Sequence, residues 1–441
     1  MTKLCIRLCV AFTIILVYGC TAPNQHGANI QGSGLSFACL SGDVTAHEAI
    51  VWFRTKGPAR VSTRFGTQAD LDRFAATQPV RTKKETDFTV TFGLTGLLPQ
   101  TRYYYRGAVV GRTPGPICTF KTAPLPEDPV NVTFAFSGDT EEDHQPFAIM
   151  DSIRAMHPDF FLFLGDTIYA DKGGKAGHRA AFWEKYLANR QDAPTQRLLA
   201  STSVYVTWDD HEVKNNYHPT HPLAPVGRQA FFDYWPVRKQ PAEPHRLYRS
   251  FRWGRAVELF VLDARQYRDL EVGSMLGEDQ KRWFLRGLRN SNAWFKLVAT
   301  SVPFSGRGQD KWGGYSPERD EILRYIATHN VSGVIFLTAD VHYAAVVKVP
   351  GDLGLKEFIV GPLGTHMNRR SQGTARRFEF FYKEAVNYGL VRVNAAAQPP
   401  YADIEILDAE NNLLSRTRIT SSGPVYPLSR VGEGVKSLAG K

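Results

Sequence analysis

Four apolar runs of strand length, each ending abruptly at an aspartate, constrain the fold of this chain more than any other feature. The runs lead into Asp139, Asp166, the pair Asp209 and Asp210, and Asp340, and no charged residue interrupts them. Uncharged runs of this length are typical of strands that are buried on both faces. Because sites in layered α/β folds collect at the carboxyl ends of strands, the sequence predicts that these carboxylates meet in one crevice.

The crevice would contain side chains of the kind that metals bind. Tyr169 follows Asp166 closely in the chain, and His342 follows Asp340. Hard oxygen ligands and an imidazole in one crevice repel one another unless a cation is present, so we expect a site for two metal ions. The alternative is that these are ordinary turn residues, but four such strand ends in succession favour the metal site.

The composition is that of a globular protein with a large core. The chain has 441 residues, of which 43% are hydrophobic and 12% aromatic, so we expect two or three domains. The formal net charge of +10 suits anionic surfaces or phosphorylated substrates, but we favour the alternative that most of these charges form a solvated basic surface. The sequence has no dense run of lysine and arginine with interleaved aromatic residues, so we expect no nucleic-acid partner.

Residues 1–19 have the pattern of an export signal. A short positive start precedes an apolar stretch that is too short to span a bilayer. The motif Val-Tyr-Gly-Cys20 resembles a bacterial lipobox, which implies cleavage before Cys20 and a lipid anchor on its sulfur. The alternative is a plain signal peptide in which Cys20 is incidental. We expect a protein of the bacterial periplasm or cell envelope, with residues 20–34 as a polar tether.

Residues 35–125 alternate apolar and polar residues in the way that is typical of strands. The run Leu97-Leu-Pro-Gln-Thr-Arg-Tyr-Tyr-Tyr105 resembles the corner of fibronectin type III-like sandwiches, in which a tyrosine hydroxyl bonds to the backbone. We therefore expect a small all-β sandwich domain, which serves either in substrate docking or, as we favour, as a scaffold. Cys39 and Cys118 lie at its two ends, and the sequence leaves open whether they form a disulfide or remain buried thiols.

Residues 130–420 alternate strand-like and helix-like segments, which predicts an α/β catalytic domain. The strands that lead to Asp139 and Asp166, with a helix between them, form a β-α-β unit. Residues 179–199 have a helical pattern, and residues 421–441 form a C-terminal tail.

Four short motifs occur in order along the catalytic part: Gly165-Asp-x-x-Tyr169, Trp208-Asp-Asp-His-Glu212, Leu262-Asp-x-Arg265 and Asp340-x-His342. In combination they resemble the motifs of the alkaline phosphatase D family of calcineurin-like metallophosphoesterases. The resemblance implies a fold, a four-layer α/β/β/α sandwich preceded by a small all-β sandwich domain. It also implies an activity, the hydrolysis of phosphate monoesters and diesters.

Asp166 is the natural carboxylate to bridge two metal ions. Asp139, Tyr169 and His342 would complete the first metal site. A phenolate ligand favours Fe(III) there, as the family resemblance also suggests. The better-studied branch of the family has Ser-Cys where this chain has Ser-Gly138, so a thiolate ligand is absent and we expect Asp139 to replace it.

Asp210 and Asp340, together with Asp166, would form a second site of oxygen ligands. Such carboxylate-rich sites suit calcium, magnesium or manganese better than zinc. We expect Ca(II), with Mn(II), Mg(II) or Zn(II) as alternatives. Asn215 or Asn216 either adds an amide oxygen or caps a turn.

Catalysis would consist of in-line attack on phosphorus by a metal-bound hydroxide. His211 is the candidate to contact the phosphate and protonate the leaving group; otherwise it hydrogen bonds to a carboxylate. Arg265 is the candidate to bind phosphate with its planar fork; otherwise it forms a surface salt bridge. Lys311, Trp312 and Tyr315, in a glycine-flanked loop, are candidates for shaping the substrate pocket.

Two other functions remain open at this point. One is a phospholipase D-like phosphodiesterase, because the same two-metal centre serves monoesters and diesters. The other is a non-hydrolytic envelope protein that binds metal and phosphate, for which the missing cysteine is the only support. The sequence leaves open the natural substrate and the oligomeric state.

Overall fold

The computed structural model describes residues 30–37, 39–173, 177–373 and 378–421. The predicted export signal, Cys20 and residues 422–441 of the predicted tail lie outside the described residues. Within the described ranges, no helix is both long enough and apolar enough to cross a membrane.

Short strands outnumber helices in the described part of the chain. In chain order the strands are β1 (Leu40–Gly42), β2 (Ala49–Arg54), β3 (Arg60–Gly66), β4 (Ala75–Ala76), β5 (Val80–Arg81), β6 (Thr89–Leu94), β7 (Arg102–Val109), β8 (Cys118–Lys121), β9 (Val132–Ser137), β10 (Phe160–Leu164), β11 (Ser203–Thr207), β12 (Arg249–Trp253), β13 (Val257–Val261), β14 (Phe295–Ala299), β15 (Val334–Thr338), β16 (Ala344–Lys348), β17 (Lys356–Ile359), β18 (Phe378–Tyr382), β19 (Asn387–Asn394), β20 (Tyr401–Asp408) and β21 (Leu413–Thr420). The α-helices are α1 (Ile149–Ala155), α2 (Arg179–Gln191), α3 (Ala193–Ser201), α4 (Ala224–Tyr234), α5 (Gly277–Asn290) and α6 (Ser316–Thr328).

These strands form two large sheets and one small sheet. The first sheet has nine strands in the order β21-β20-β19-β9-β10-β11-β1-β2-β6. The second has seven strands in the order β12-β13-β14-β15-β17-β16-β18. The small sheet has the order β4-β3-β7-β8, with β5 paired to β3. Strands β9, β10 and β11 are adjacent and parallel, so their carboxyl ends lie at one edge.

The two large sheets pack face to face with helices outside them. In β10, Phe160 packs into the core between the sheets, and Phe161 packs against helices α1 to α4. In β15, Ile335 faces the core between the sheets and Phe336 faces α5 and α6. Burying a phenylalanine in this way stabilises the fold by about 1.5–3 kcal/mol. The resulting α/β/β/α order confirms the predicted fold class.

The N-terminal strands share a sheet with the catalytic strands. Strand β1 pairs in parallel with β11 at Gly42 and Val204, so β1, β2 and β6 extend the first sheet. One face of β2 directs Phe53 into a core shared with the small sheet. The other face directs Trp52 against α4, where its indole N–H donates to the Asp233 carbonyl at 2.8 Å. A small sandwich is therefore present, and one of its sheets continues into the first large sheet.

Two details of the sandwich bear on the sequence analysis. Cys39 and Cys118 form a disulfide with their Cα atoms 6.4 Å apart, so of the two alternatives the structure has the disulfide. The hydroxyl of Tyr103 accepts a hydrogen bond from the backbone N–H of Leu98 at 2.9 Å. This is the tyrosine-to-backbone bond that the resemblance to fibronectin type III-like corners implies.

The helical pattern at 179–199 corresponds to two helices, α2 and α3, and the sequence did not predict the break between them. The chain breaks at Asp192, whose carboxylate accepts a hydrogen bond from the N–H of Thr195 at 2.9 Å and so caps α3. Pro194 follows at the start of α3, a position where its missing N–H costs nothing.

Candidate metal centre

Both large sheets deliver carboxylates to one place. Asp139, Asp166 and Asp210 follow the parallel strands β9, β10 and β11 of the first sheet, and Asp340 follows β15 of the second. The carboxylates of Asp139, Asp166 and Asp210 are almost completely buried, and the side chain of Asp340 is 8% exposed. The structure therefore brings together the four aspartates that the sequence predicts to meet.

The backbone at these strand ends is strained. Asp139, Asp166, Asp340 and His342 have φ values of +68°, +49°, +72° and +56°, which is the left-handed region. Residues other than glycine pay about 1–2 kcal/mol for this conformation, although aspartate tolerates it better than most. Such strain concentrates at functional sites, where the surrounding fold holds it in place.

The Asp139 half of the centre consists of Asp139, Asp166, Tyr169 and His342. Donor atoms of Asp139, Asp166 and His342 all lie within 4.8 Å of one another. The Nε2 atom of His342 is 3.5 Å from Asp139 Oδ1 and 3.1 Å from the hydroxyl of Tyr169. Among the described residues, neither carboxylate oxygen of Asp139 has a hydrogen-bond partner. A buried carboxylate without partners is costly, and a cation would satisfy it.

His342 presents its Nε2 lone pair to this half of the centre. Its Nδ1 atom lies 2.8 Å from the backbone carbonyl of His366. Because a carbonyl can only accept, Nδ1 carries the proton and Nε2 of the neutral ring is free to act as a ligand. A histidine that binds metal is commonly oriented in this way.

The electrostatics of this half also indicate that positive charge is needed. Burial raises the pKa of Asp166 well above its usual range, and the charges of Asp210, Asp209 and Asp139 raise it further. Burial and the charge of Asp166 likewise raise the pKa of Tyr169 well above its ordinary value. A cation beside these groups has the opposite effect, because it favours the ionised forms.

The Asp340 half of the centre consists of Asp209, Asp210 and Asp340, whose carboxylate oxygens also lie within 4.8 Å of one another. Here two basic side chains enter the cluster. Lys311 forms an ion pair with Asp340, and Arg265 Nη2 lies 3.6 Å from Asp210 Oδ1. The carboxylates of the Asp340 half therefore form ion pairs with lysine and arginine, whereas among the described residues those of the Asp139 half have only the imidazole of His342 at ion-pair distance.

Arg265 is completely buried and enclosed by acids. It donates from Nε to Asp209, and from Nη1 to Asp310 Oδ1 at 2.6 Å and Nη2 to Asp310 Oδ2 at 3.2 Å. With 0% of its side chain exposed, a phosphate cannot reach it unless these partners move. The geometry therefore favours a role in holding Asp209 and Asp210, in place of the direct phosphate contact predicted from the sequence.

His211 lies between the strand ends with its ring oriented by a carboxylate. Its backbone N–H donates to Asp166 Oδ1 at 3.1 Å, and its Nδ1 atom is 2.7 Å from Asp171 Oδ1. Burial alone would lower the pKa of His211, but the hydrogen bond with Asp171 and the charge of Asp210 outweigh it and raise the pKa. The raised pKa favours the protonated imidazole, which is the form that the proposed proton donor requires.

The two asparagines contact the centre through their backbones. The N–H of Asn216 donates to Asp210, and the N–H of Asn215 donates to Asp171 Oδ2 at 2.9 Å. Of the two alternatives, these contacts favour the role in capping a turn.

The loop with Lys311, Trp312 and Tyr315, which was expected to shape the pocket, has both of its aromatic residues in the core. Trp312 and Tyr315 are fully buried, and the indole N–H of Trp312 donates to Thr300 Oγ1 at 3.2 Å. Lys311 reaches the centre itself through Asp340 and, at 2.9 Å, through Asp310.

Three acidic residues that support the centre were missed. Glu212 accepts hydrogen bonds from the backbone N–H groups of Asp166, Thr167 and Asp209, so it fixes the ends of β10 and β11 together. Its place in the Trp-Asp-Asp-His-Glu motif is a signal that could have found it. Asp171 and Asp310 lie in loops whose local sequence gives no such signal.

Two stacked sheets with outer helices, and a carboxylate and imidazole centre at the strand ends, define the metallophosphoesterase fold class. The model of the PhoD-like phosphatase family matches residues 133–399, and the model of the N-terminal domain of PhoD-like phosphatases matches residues 21–124. The chain belongs to the PhoD-like phosphatase family, which confirms the resemblance found in the sequence.

Similar proteins support this assignment. Alkaline phosphatase D of Bacillus subtilis (strain 168) is 28% identical over 303 residues, which cover 56% of this chain and 52% of that protein. The chain thus spans about half the length of this relative in the match. The solved structure of PhoD has a TM-score of 0.77 at 22% identity and covers 91% of this chain and 92% of its own. Purple acid phosphatase from seeds of yellow lupin (Lupinus luteus) has a TM-score of 0.67 at 13% identity and covers 90% and 78%. At these identities the two structures show the shared fold.

Proposed function

We propose that the protein is a metal-dependent phosphoesterase that hydrolyses phosphate monoesters, diesters or both. The observation that carries the proposal is the buried carboxylate of Asp139, which lies beside Asp166 and His342 and has no hydrogen-bond partner among the residues that the structure describes. This arrangement is costly in a protein that holds no cation and is expected in one that does. The family membership of the chain supports the same reaction class.

The donor set fits two metal ions. Asp139, Tyr169 and His342 would hold the first, Asp210 and Asp340 the second, and Asp166 would bridge them. A phenol and carboxylates favour Fe(III) at the first position, and an all-oxygen set favours Ca(II) at the second, with Mn(II), Mg(II) or Zn(II) as alternatives. Bound cations of this kind lower the pKa of water and neutralise the charge of a phosphoryl group.

The side chains around the centre then perform the remaining tasks. His211 donates a proton from Nε2 to the leaving oxygen, because its Nδ1 is engaged by Asp171 at 2.7 Å. Asp171 holds the imidazole in orientation and favours its protonated form. Arg265 positions Asp209 and Asp210 without contacting the substrate.

The proposal is tested with the purified full chain. We expect bound metal by elemental analysis, hydrolysis of p-nitrophenyl phosphate or bis(p-nitrophenyl) phosphate, and loss of hydrolysis after chelation that is reversed by adding metal. Protein that carries no metal, recruits none and hydrolyses neither ester would contradict the proposal. The ratio of the two rates decides between a monoesterase and a phospholipase D-like diesterase.

Export and a lipid anchor at Cys20 remain proposals that concern residues outside the described part. The disulfide between Cys39 and Cys118 supports an oxidising compartment such as the periplasm or cell envelope. Fractionation of cells that express the wild type and Cys20→Ser tests the anchor. We expect the wild type with the membranes and the variant in the soluble periplasmic fraction.

A further inference from the structure

A basic pocket opens beside the metal centre. Its volume is about 460 Å³, and its basic lining residues are His144, His366, Arg369 and Arg370. The other described residues that line it are Thr365, Met367 and Asn368, and none of the described lining residues is acidic. Two arginines remain charged at any pH at which the protein is folded, so the pocket is positive regardless of the histidines.

Two hydrogen bonds join the pocket wall to His342, a residue of the Asp139 half of the centre. The Nδ1 atom of His342 donates to the carbonyl of His366 at 2.8 Å. The N–H of Asn368 donates to the carbonyl of His342 at 2.8 Å. Since His342 also lies 3.5 Å from Asp139 Oδ1, the pocket is separated from the centre by a single residue.

Further contacts fix the rest of the pocket wall in place. The Nζ atom of Lys383 donates to the carbonyls of Arg369 and Ser371 at 2.8 and 2.7 Å, which fixes the backbone that carries the arginines. The rings of His144 and His366 meet edge to face with their centroids 4.4 Å apart. The basic side chains therefore belong to a shaped cavity.

Glu141, an acidic residue that contacts the pocket wall, does not neutralise the pocket. Glu141 accepts hydrogen bonds from Lys172 Nζ and Thr365 Oγ1, each at 2.7 Å, and lies 3.8 Å from His144 Nε2. The carboxylate of Glu141 forms an ion pair with Lys172, which already balances its charge. Arg369 and Arg370 are exposed, and no ion pair from either arginine is found among the described residues.

We propose that this basic pocket binds a second anionic group of the substrate. The inference rests on the proposed phosphoesterase function and narrows its substrate class to phosphate esters whose remaining part carries a further carboxylate or phosphate. The reacting phosphate lies at the strand-end carboxylates, and the second anion lies beyond His342 against Arg369 and Arg370. Arginine recognises both kinds of anion with its planar fork, and the pocket is open enough to admit either.

The test compares two probes that differ by one charge, 3-carboxyphenyl phosphate and its methyl ester. We expect the wild type to favour the acid in kcat/KM, and Arg369→Ala and Arg370→Ala to reduce that preference on the order of tenfold, as for the loss of one charge-assisted hydrogen bond. Arg286→Ala, an exposed arginine on α5, is the matched control and should leave the preference unchanged. 1,3-Phenylene bisphosphate as a third probe shows whether phosphate is preferred to carboxylate.

The experiments distinguish failure of the proposed subsite from failure of the proposed phosphoesterase function. Hydrolysis of both probes with a preference that neither arginine variant alters would overturn the subsite and leave the function intact. If wild-type protein hydrolyses neither probe, calorimetric binding of 3-carboxyphenylphosphonate and its methyl ester still decides the subsite. Equal binding of the two phosphonates would then reject it, and arginine-dependent preference for the acid would uphold it.

Discussion

Asp139 and Asp340 are both aspartates at strand ends with a left-handed backbone, yet different groups face their carboxylates. Asp139 Oδ1 lies 3.5 Å from His342 Nε2 and has no ion pair with lysine or arginine among the described residues, whereas Asp340 forms an ion pair with Lys311. Arg265 adds a second cation to the Asp340 half. The comparison indicates that lysine and arginine balance part of the negative charge in the Asp340 half, and that the Asp139 half is the one with more negative charge left for the proposed metal ion.

Charge balance is therefore expected to set how tightly each metal is held. In the described part of the chain, a cation that enters the Asp139 half meets the carboxylates of Asp139 and Asp166, neither of which forms an ion pair with lysine or arginine. A cation that enters the Asp340 half must displace or share the attraction of Lys311. We expect a tightly held ion in the first and a more readily exchanged ion in the second.

The largest effect is expected for Asp166→Asn, because Asp166 contributes a donor atom next to both Asp139 and Asp210. Loss of the shared carboxylate should reduce kcat/KM on the order of 1,000-fold and lower the metal content measured by elemental analysis. Asp279→Asn, at an aspartate with 89% of its side chain exposed, is the control. Full metal content and activity in Asp166→Asn would remove this residue from the centre.

The next largest effect concerns His211. His211→Gln should lower kcat on the order of 100-fold through loss of the proton donor. Asp171→Asn keeps the imidazole but removes the hydrogen-bonded carboxylate that raises its pKa. Because the protonated form is the active acid, activity falls as pH rises through this pKa, and the fall should move to lower pH in Asp171→Asn. An unchanged pH–rate profile would mean that His211 is not the donor.

The free energy of unfolding of the metal-free protein tests the difference between the Asp139 half and the Asp340 half directly. Asp139→Asn removes an unpartnered buried charge and should raise the free energy of unfolding by about 1–3 kcal/mol. Asp340→Asn removes one of the two carboxylates that pair with Lys311, so it should lower the free energy of unfolding by about 1–3 kcal/mol. Urea denaturation in the presence of chelator measures both, and shifts of the same sign would show that the two halves do not differ.

The smallest effect is expected for Lys311→Met, which removes the competing cation and keeps the length of the side chain. Calorimetric titration of metal-depleted protein should show the weaker Ca(II) site binding about tenfold more tightly, equivalent to about 1.4 kcal/mol. Lys348→Met, at a lysine with 67% of its side chain exposed, is the control. If Ca(II) affinity does not change, Lys311 does not compete for the Asp340 half.

Much of the centre could be predicted from the sequence because its signal is local. An uncharged strand that stops at an aspartate marks both the buried strand and the residue at its end, as at Asp139 and Asp166. The family resemblance, the four-layer fold and the tyrosine corner at Tyr103 follow from motifs of the same local kind. The helical pattern at 179–199 indicated helical structure but not the break between α2 and α3, where Asp192 caps α3.

The basic partners could not be predicted, because they come from loops far away in the chain. Nothing near Lys311 indicates that its side chain reaches Asp340, and nothing near Arg265 indicates that Asp209 and Asp310 enclose it. The exposure of a charged side chain depends on the packing of all its neighbours. The motif around Arg265 therefore indicated a phosphate ligand, although the side chain is buried in the structure.

The sequence by itself determined which residues stand at the strand ends, since burial and strand termination are encoded within a few consecutive positions. Only the tertiary structure decided which of those carboxylates form ion pairs with lysine or arginine. It also decided that β1 joins β11, because strand pairing between distant segments depends on backbone hydrogen bonds that any sequence can form. The physical reason is the same in both cases: long-range contacts have no signature in the local pattern of residue types.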